Sequence, residues 1–270
     1  MMLTETRNPA TMHLDQMSAL EIVQVMNREN ANSVAALEAV LPQVAEAVES
    51  ITEAFAKGGR LLYIGAGTSG RLAVVDAAEC PPTFGVPQSQ VVGICAGGIK
   101  TLVSASENKE DDPDEGIQEL KSRNLCADDV VVGISASGGA AYVCNALAYA
   151  NELGCTTVSI SSNPKSKLAA VAKIAISPET GPEVLTGSTR LKAGNAQKMI
   201  LNMLSTAAMV RSGYVYENLM INLKPTNIKL RGRVIRIVRE ITGCDEIGAT
   251  ALLEQGNWVI RDAIRIWKEQ

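Results

Sequence analysis

From residue 18 to the mid-fifties apolar positions recur every three or four residues, then give way from residue 60 to short, mostly apolar runs. Ser18-Ala-Leu-Glu21 has the form of a capping box, and Ile22, Val25 and Met26 beyond it share one face, so a helix is predicted from Ser18. Asn30-Ala-Asn32-Ser33 predicts a break. Leu37, Val40, Leu41, Val44, Val48, Ile51 and Phe55 then form a second helical stripe, interrupted at Pro42 and stopped at Gly58-Gly59. Residues 1–17 carry no period and are expected to be irregular.

The later runs, 61–64, 91–95, 129–134, 156–160 and 173–176, are short and rich in β-branched residues. Helix-like segments at about 69–79, 99–107, 114–123, 139–153 and 164–171 separate them. Strands alternating with helices, most of them apolar on both faces, predict an α/β fold with a doubly wound, mostly parallel sheet. A long helix is predicted over 188–211. A basic stretch over 224–240 contains Lys224, Lys229, Arg231, Arg233, Arg236 and Arg239, and two short helices are predicted over 245–254 and 256–268. The expected organisation is an N-terminal helical segment (1–57), the sheet domain (58–223) and a small all-helical appendage (224–270). The arginines of the appendage read by default as a solvated face.

Composition narrows the chemistry. The 270 residues are 46% apolar, enough for a large core. With 25 basic and 29 acidic residues the net charge is −4, and only 3% are aromatic. Neither a basic footprint nor stacking platforms are available, so no nucleic-acid partner is expected. Six cysteines contain no C-x-x-C pair, and the single histidine, His13, is remote from them in sequence, so no metal site is expected. Cys95 and Cys144 lie within apolar runs and read as buried thiols. No run reaches the ~20 apolar residues that span a bilayer, and residues 1–17 lack a secretory apolar core. A cytoplasmic protein without a membrane partner is expected.

Ligands of parallel α/β sheets bind at the carboxyl ends of the strands. After the first strand comes Gly65-Ala-Gly67-Thr68-Ser69-Gly70, which fits G-x-G-x-x-G. A dinucleotide site also wants an acidic residue after the second strand, where this chain has Cys95-Ala-Gly97-Gly98. A nucleoside-triphosphate loop wants Lys-Ser/Thr after Gly70, where this chain has Arg71-Leu72. What remains is a glycine turn with two hydroxyls at a helix start, suited to a single phosphoryl group. Ser135-Ala-Ser137-Gly138, Ser161-Ser162-Asn163 and Thr186-Gly187-Ser188-Thr189-Arg190 add hydroxyl-bearing turns. Any one of them reads as a helix cap. Together, at one predicted sheet edge, they point to a sugar phosphate.

The first two turns resemble those of the sugar isomerase (SIS) domain, a phosphosugar-binding fold of flavodoxin-like type. Gly65-Ala-Gly-Thr-Ser-Gly-Arg-Leu72, Asp76-Ala-Ala-Glu-Cys-Pro-Pro-Thr83, Gly181-Pro-Glu-Val184, Thr186-Gly-Ser-Thr-Arg-Leu-Lys-Ala-Gly194 and Gln197-Lys198 further resemble the N-acetylmuramic acid 6-phosphate etherases, over nearly the whole chain. The Glu-Cys-Pro-Pro-Thr block is the most specific of these. The resemblance implies cofactor-free cleavage of a lactyl ether by elimination and hydration, in amino-sugar and cell-wall recycling. The catalytic glutamates of the family fall on Glu79 and, through the pattern Glu107-Asn-Lys-Glu110-Asp111, on Glu110. By itself, that crowded stretch reads as a solvated acidic turn. Substrate and phosphate contacts are expected from Gly67, Thr68, Ser69, Ser135, Ser137, Gly138, Ser188, Thr189 and Lys192.

Two positions depart from the family pattern: Ala140 stands where a Thr is usual, and Asn195 likewise. The chain's C-terminus is also shorter than is common in the family. The resemblance further implies a homodimer, with the site open to residues from the second copy. Two other functions share the fold: a non-catalytic sugar-phosphate regulator like the glucokinase regulatory protein, and an aldose–ketose isomerase.

Overall fold

In the computed structural model, residues 3–104, 107–222, 225 and 228–269 are described. They form two compact units, one of residues 1–78 and 89–208, the other of residues 79–88 and 209–270.

The first unit begins with three short 3-10 turns, Leu3–Glu5, Pro9–Thr11 and Leu14–Gln16, where an irregular segment is expected. Helix α1 (Ala19–Glu38) starts at the Ser18–Glu21 capping box, with both reciprocal bonds present. It runs through the predicted break at 30–33. Tertiary partners hold it there: the buried Ser33 hydroxyl donates to the Lys192 carbonyl at 3.2 Å, and Asn30 meets Asn195 at 3.1 Å. The chain breaks instead at Ala39-Val40. Pro42 sits in the first turn of α2 (Leu41–Ala56), where its missing N–H costs nothing.

Strands β1 (Leu61–Gly65), β2 (Val91–Cys95), β3 (Val130–Ile134), β4 (Thr156–Ile160) and β5 (Ile174–Ile176) fall where the apolar runs predict them. All are parallel, in the order β2-β1-β3-β4-β5. The connections carry α3 (Gly67–Phe84), α4 (Lys100–Val103), α5 (Glu115–Ser122), α6 (Ala141–Glu152) and α7 (Lys167–Val171), and α8 (Lys192–Arg211) follows β5. β1 and β3 are buried at every position, as strands covered on both faces must be.

At the amino edge of β1 and β3, half-buried Arg60 pairs with buried Asp129. The Arg60 Nη2–Asp129 Oδ2 distance is 2.6 Å, and the amides of Arg60 and Cys126 also donate to that carboxylate, at 2.8 and 3.1 Å. Burial alone would raise the Asp129 pKa, but the bonds from Arg60 and Cys126 outweigh it and hold it below the usual value. A depressed folded-state pKa stabilises the fold above the free carboxyl value, about 3.9. That contribution is lost as pH falls through the folded-state value. Asp129→Asn is therefore expected to cost about 2 kcal/mol at pH 7. The gap between its urea midpoint and that of the wild type should close in acid.

The second unit holds a two-strand hairpin, β6 (Val215–Tyr216) and β7 (Leu219–Met220), which the sequence pattern does not predict. Two residues per strand are too few for an alternating pattern to register. The hairpin packs on three helices, α9 (Ile228–Thr242), α10 (Glu246–Gln255) and α11 (Ile260–Lys268), around Val234, Val238, Leu253, Ile260 and Ala263. Gly243, at φ +73°, terminates α9 as expected. Arg231, Arg236 and Arg239 are exposed, and Arg231 lies over the Trp258 ring, 5.0 Å from its centre. Lys224 lies outside the described residues. Among the described residues, no helix is long and apolar enough to cross a membrane.

Candidate functional site

With β1 flanked by β2 on one side and β3 on the other, the strand order reverses between β1 and β3. The loops leaving these two strands diverge to opposite faces and leave a crevice, the usual ligand position in open α/β sheets. A cleft of about 450 Å³ opens there.

Its floor begins with the turn after β1. Gly67 takes a left-handed φ of +55° where the turn feeds α3. A side chain at Gly70 would meet the Gly65 carbonyl at 2.5 Å and Cys95 Sγ at 2.7 Å, so glycine there lets the first turn of α3 lie against the strand end. Gly67, Thr68 and Ser69 all line the cleft. The buried Ser69 hydroxyl donates to Gln197 Oε1 on α8 at 3.0 Å, which ties two of the resembling motifs together across 128 residues.

The second wall is the turn after β3. Ser135 Oγ accepts from the Gly138 amide at 3.1 Å, and Ser137 Oγ accepts from the Gly139 amide at 3.2 Å. Both serines line the cleft, and so does Ala140. Gly138, at φ +68°, is absent from the lining: its amide turns back on Ser135, and it presses against Ser166. Glycine shapes this turn without facing the cleft. The turn after β4 is likewise absent from the lining. Ser161 bonds the Asn163 carbonyl and Ser166, which caps α7.

The third wall is Gly187–Arg190, and Ser188 and Thr189 are in the lining. Lys192 is not in it. Its side chain is 1% exposed and its Nζ meets Glu29 Oε2 on α1 at 2.6 Å, while Asn8 donates to the same oxygen at 2.8 Å. These partners hold the Glu29 carboxyl below its usual pKa against the opposing effect of burial. Beneath this loop, fully buried Glu183 accepts from the amides of Lys192 and Ala193 at 2.9 and 3.0 Å and so caps α8.

The acidic segment resolves into separate roles. Asp112 accepts from the amides of Asp114 and Glu115 at 3.0 Å each, which lowers its pKa. Glu115 pairs with Lys109 at 3.0 Å. Glu110 lines the cleft, and its carbonyl accepts from the Tyr142 amide at 3.1 Å, which fastens the segment to the start of α6. The Glu107 side chain is outside the described residues. Glu79 stands on α3, exposed, in the second unit, whereas the cleft lining comes from the first.

Three charged lining residues were not among the predicted contacts: Glu5, Arg71 and Arg190. Arg190 sits inside a hydroxyl cluster already marked by its cations, so a signal existed. Glu5 lies in a segment without period, and nothing local marks it. Asn8 and Thr11, which donate to the Pro182 and Val184 carbonyls at 3.2 and 2.8 Å, fasten that segment beside the cleft.

Comparison with known proteins agrees with this geometry. Residues 43–151 match the family model of the glucokinase regulatory protein N-terminal SIS domain, and residues 114–207 match that of the SIS domain. A phosphosugar isomerase structure from Bacteroides fragilis, described as putative, superposes with a TM-score of 0.56 at 24% identity, covering 74% of this chain and 94% of that one. Fold, switch-point cleft and family matches together define a SIS-domain protein. At higher similarity, the N-acetylmuramic acid 6-phosphate etherase of Pectobacterium atrosepticum is 54% identical over 97% of this chain and 87% of its own length. That of Serratia proteamaculans is 54% identical over 97% and 89%. The chain belongs to the N-acetylmuramic acid 6-phosphate etherase family.

Proposed function

We propose that this protein is a carbon–oxygen lyase that cleaves the D-lactyl ether of N-acetylmuramic acid 6-phosphate to N-acetylglucosamine 6-phosphate and D-lactate. The observation that carries this reading is the juxtaposition, in one cleft, of the hydroxyl-bearing turns and the acidic side chain that the family motifs single out. The amides and hydroxyls of Gly67, Thr68, Ser69, Ser135, Ser137, Ser188 and Thr189 hold the phosphoryl group, aided by the amino end of α3.

With the sugar open, the C2 proton is acidified by the C1 carbonyl. A carboxylate removes it, and the C3–O bond breaks as lactate takes up a proton. Water then adds at C3, and a proton returns to C2. Two acid/base groups are needed, and in a chain with one histidine carboxylates are the natural choice. Glu110 is assigned one of these roles from its place in the cleft lining, and the family resemblance alone gives the other to Glu79. The homodimer belongs to the same reading. Exposed Leu20, Val23 and Val34 on α1 support it, being 64%, 57% and 58% accessible in the single chain. A cytoplasmic setting fits a phosphorylated sugar and the free cysteines.

The decisive assay incubates the purified protein with N-acetylmuramic acid 6-phosphate and quantifies D-lactate and N-acetylglucosamine 6-phosphate in equal amounts. Sugar-phosphate binding without lactate would overturn the enzyme in favour of a regulator. Ala140 and the match to the regulatory-protein domain favour that second reading.

A further inference from the structure

The proposed substrate carries a second anion besides its phosphoryl group. The lactyl ether ends in a carboxylate, and together the two groups bring close to three negative charges into the cleft. Neutral hydroxyls and amides suit the phosphoryl group, but a carboxylate several bonds away needs its own partner. Otherwise it would lose hydration without compensation. Among the described residues, the cleft lining contains two cations, Arg71 and Arg190, against two carboxylates, Glu5 and Glu110.

The arginines differ in what already holds them. Arg71 donates from Nε to the Thr101 carbonyl at 2.9 Å and from Nη2 to the Ser104 carbonyl at 3.1 Å. It fastens the short helix α4 and its exit. The Arg190 guanidinium makes no hydrogen bond or ion pair among the described residues, although the backbone that carries it is fixed. The Ser188 amide donates to Leu185 at 3.0 Å, and the Thr189 carbonyl accepts from Gly194 at 2.9 Å. Glu183 caps the helix that follows. A held backbone presenting an unengaged planar fork is the arrangement that binds a carboxylate bidentately.

We propose that Arg190 pairs with the lactyl carboxylate and so determines specificity for the ether substrate over sugar phosphates that lack the lactyl group. This rests on the etherase reading. It adds that the departing half of the substrate has its own contact, which orients the C3–O bond and is lost with lactate.

The test compares the wild type, Arg190→Gln and Arg190→Lys as full-length protein, each first checked for an unchanged melting temperature. Steady-state kinetics with N-acetylmuramic acid 6-phosphate are set beside calorimetric Kd values for that sugar and for N-acetylglucosamine 6-phosphate, which lacks the carboxylate. Arg190→Gln is expected to lower kcat/KM roughly 10- to 100-fold, chiefly through KM, with partial recovery in Arg190→Lys. The Kd for N-acetylglucosamine 6-phosphate should stay the same. Equal weakening of both sugars would overturn the proposal and make Arg190 a phosphate ligand or a structural residue. Unchanged kcat/KM would overturn it too. Should the wild type release no lactate, the etherase reading fails by itself. The arginine assignment is then judged by binding alone: it stands if the wild type prefers the lactyl sugar and Arg190→Gln abolishes that preference, and falls otherwise.

Discussion

Glu110→Gln is expected to cut D-lactate release about 10²–10⁴-fold, equivalent to roughly 3–5 kcal/mol of barrier, while leaving the affinity for N-acetylglucosamine 6-phosphate nearly unchanged. The amide keeps the volume and hydrogen-bonding reach of the side chain but can no longer take or give a proton at the carboxyl. The structure narrows the choice within a crowded acidic stretch. Asp112 is engaged by two backbone amides and Glu115 by Lys109, and neither lines the cleft. Glu110 is the member of the stretch that lines the cleft. Glu79→Gln should produce a loss of the same order, because elimination and hydration need two groups. Product release after rapid mixing, together with calorimetric binding of N-acetylglucosamine 6-phosphate, separates the two effects. Full activity in Glu110→Gln with loss in Glu107→Gln would move the role three residues upstream. Loss of sugar binding together with turnover would make Glu110 a binding residue.

The second large effect is on stability. Glu183 is fully buried, and its carboxylate accepts from the first two amides of α8. Glu183→Ala removes both charge-assisted bonds, leaves two amides without partners in a dry site and opens a small void. The sum is about 4 kcal/mol, which should lower the melting temperature of the first unit by roughly 10 °C. Because α8 follows directly on Ser188, Thr189 and Arg190, sugar-phosphate affinity should weaken as well, even at temperatures where the variant is folded. Thermal melts with and without N-acetylglucosamine 6-phosphate measure both. An unchanged melting temperature would mean that water or a neighbouring carbonyl replaces the cap.

Much of the fold was legible because it rests on local periodicity. Most strands of the parallel sheet are continuous apolar runs, as strands buried on both faces require, and the capping box at Ser18 and the stop at Gly243 are local chemistry. The misread elements are those where local preference was overruled or too brief to register. Asn30-Ala-Asn32-Ser33 looks like a break, yet it stays helical because Ser33 and Asn30 find partners on α8. The β6–β7 hairpin is two residues deep on each side.

The candidate site divides in the same way. Its hydroxyl turns were visible as motifs because glycine, serine and threonine must lie next to one another to make such a turn. Lys192 stood among them by sequence, but only tertiary structure could decide its partner. That partner is Glu29, 163 residues away, and the pairing draws the lysine out of the cleft and into the packing of α1. Glu5 joins the cleft for the converse reason. Local sequence therefore determined the elements and the hydroxyl-bearing turns proposed to seat a phosphoryl group. The folded chain decided which charges face that seat, because ion pairs and burial depend on residues far apart in the chain.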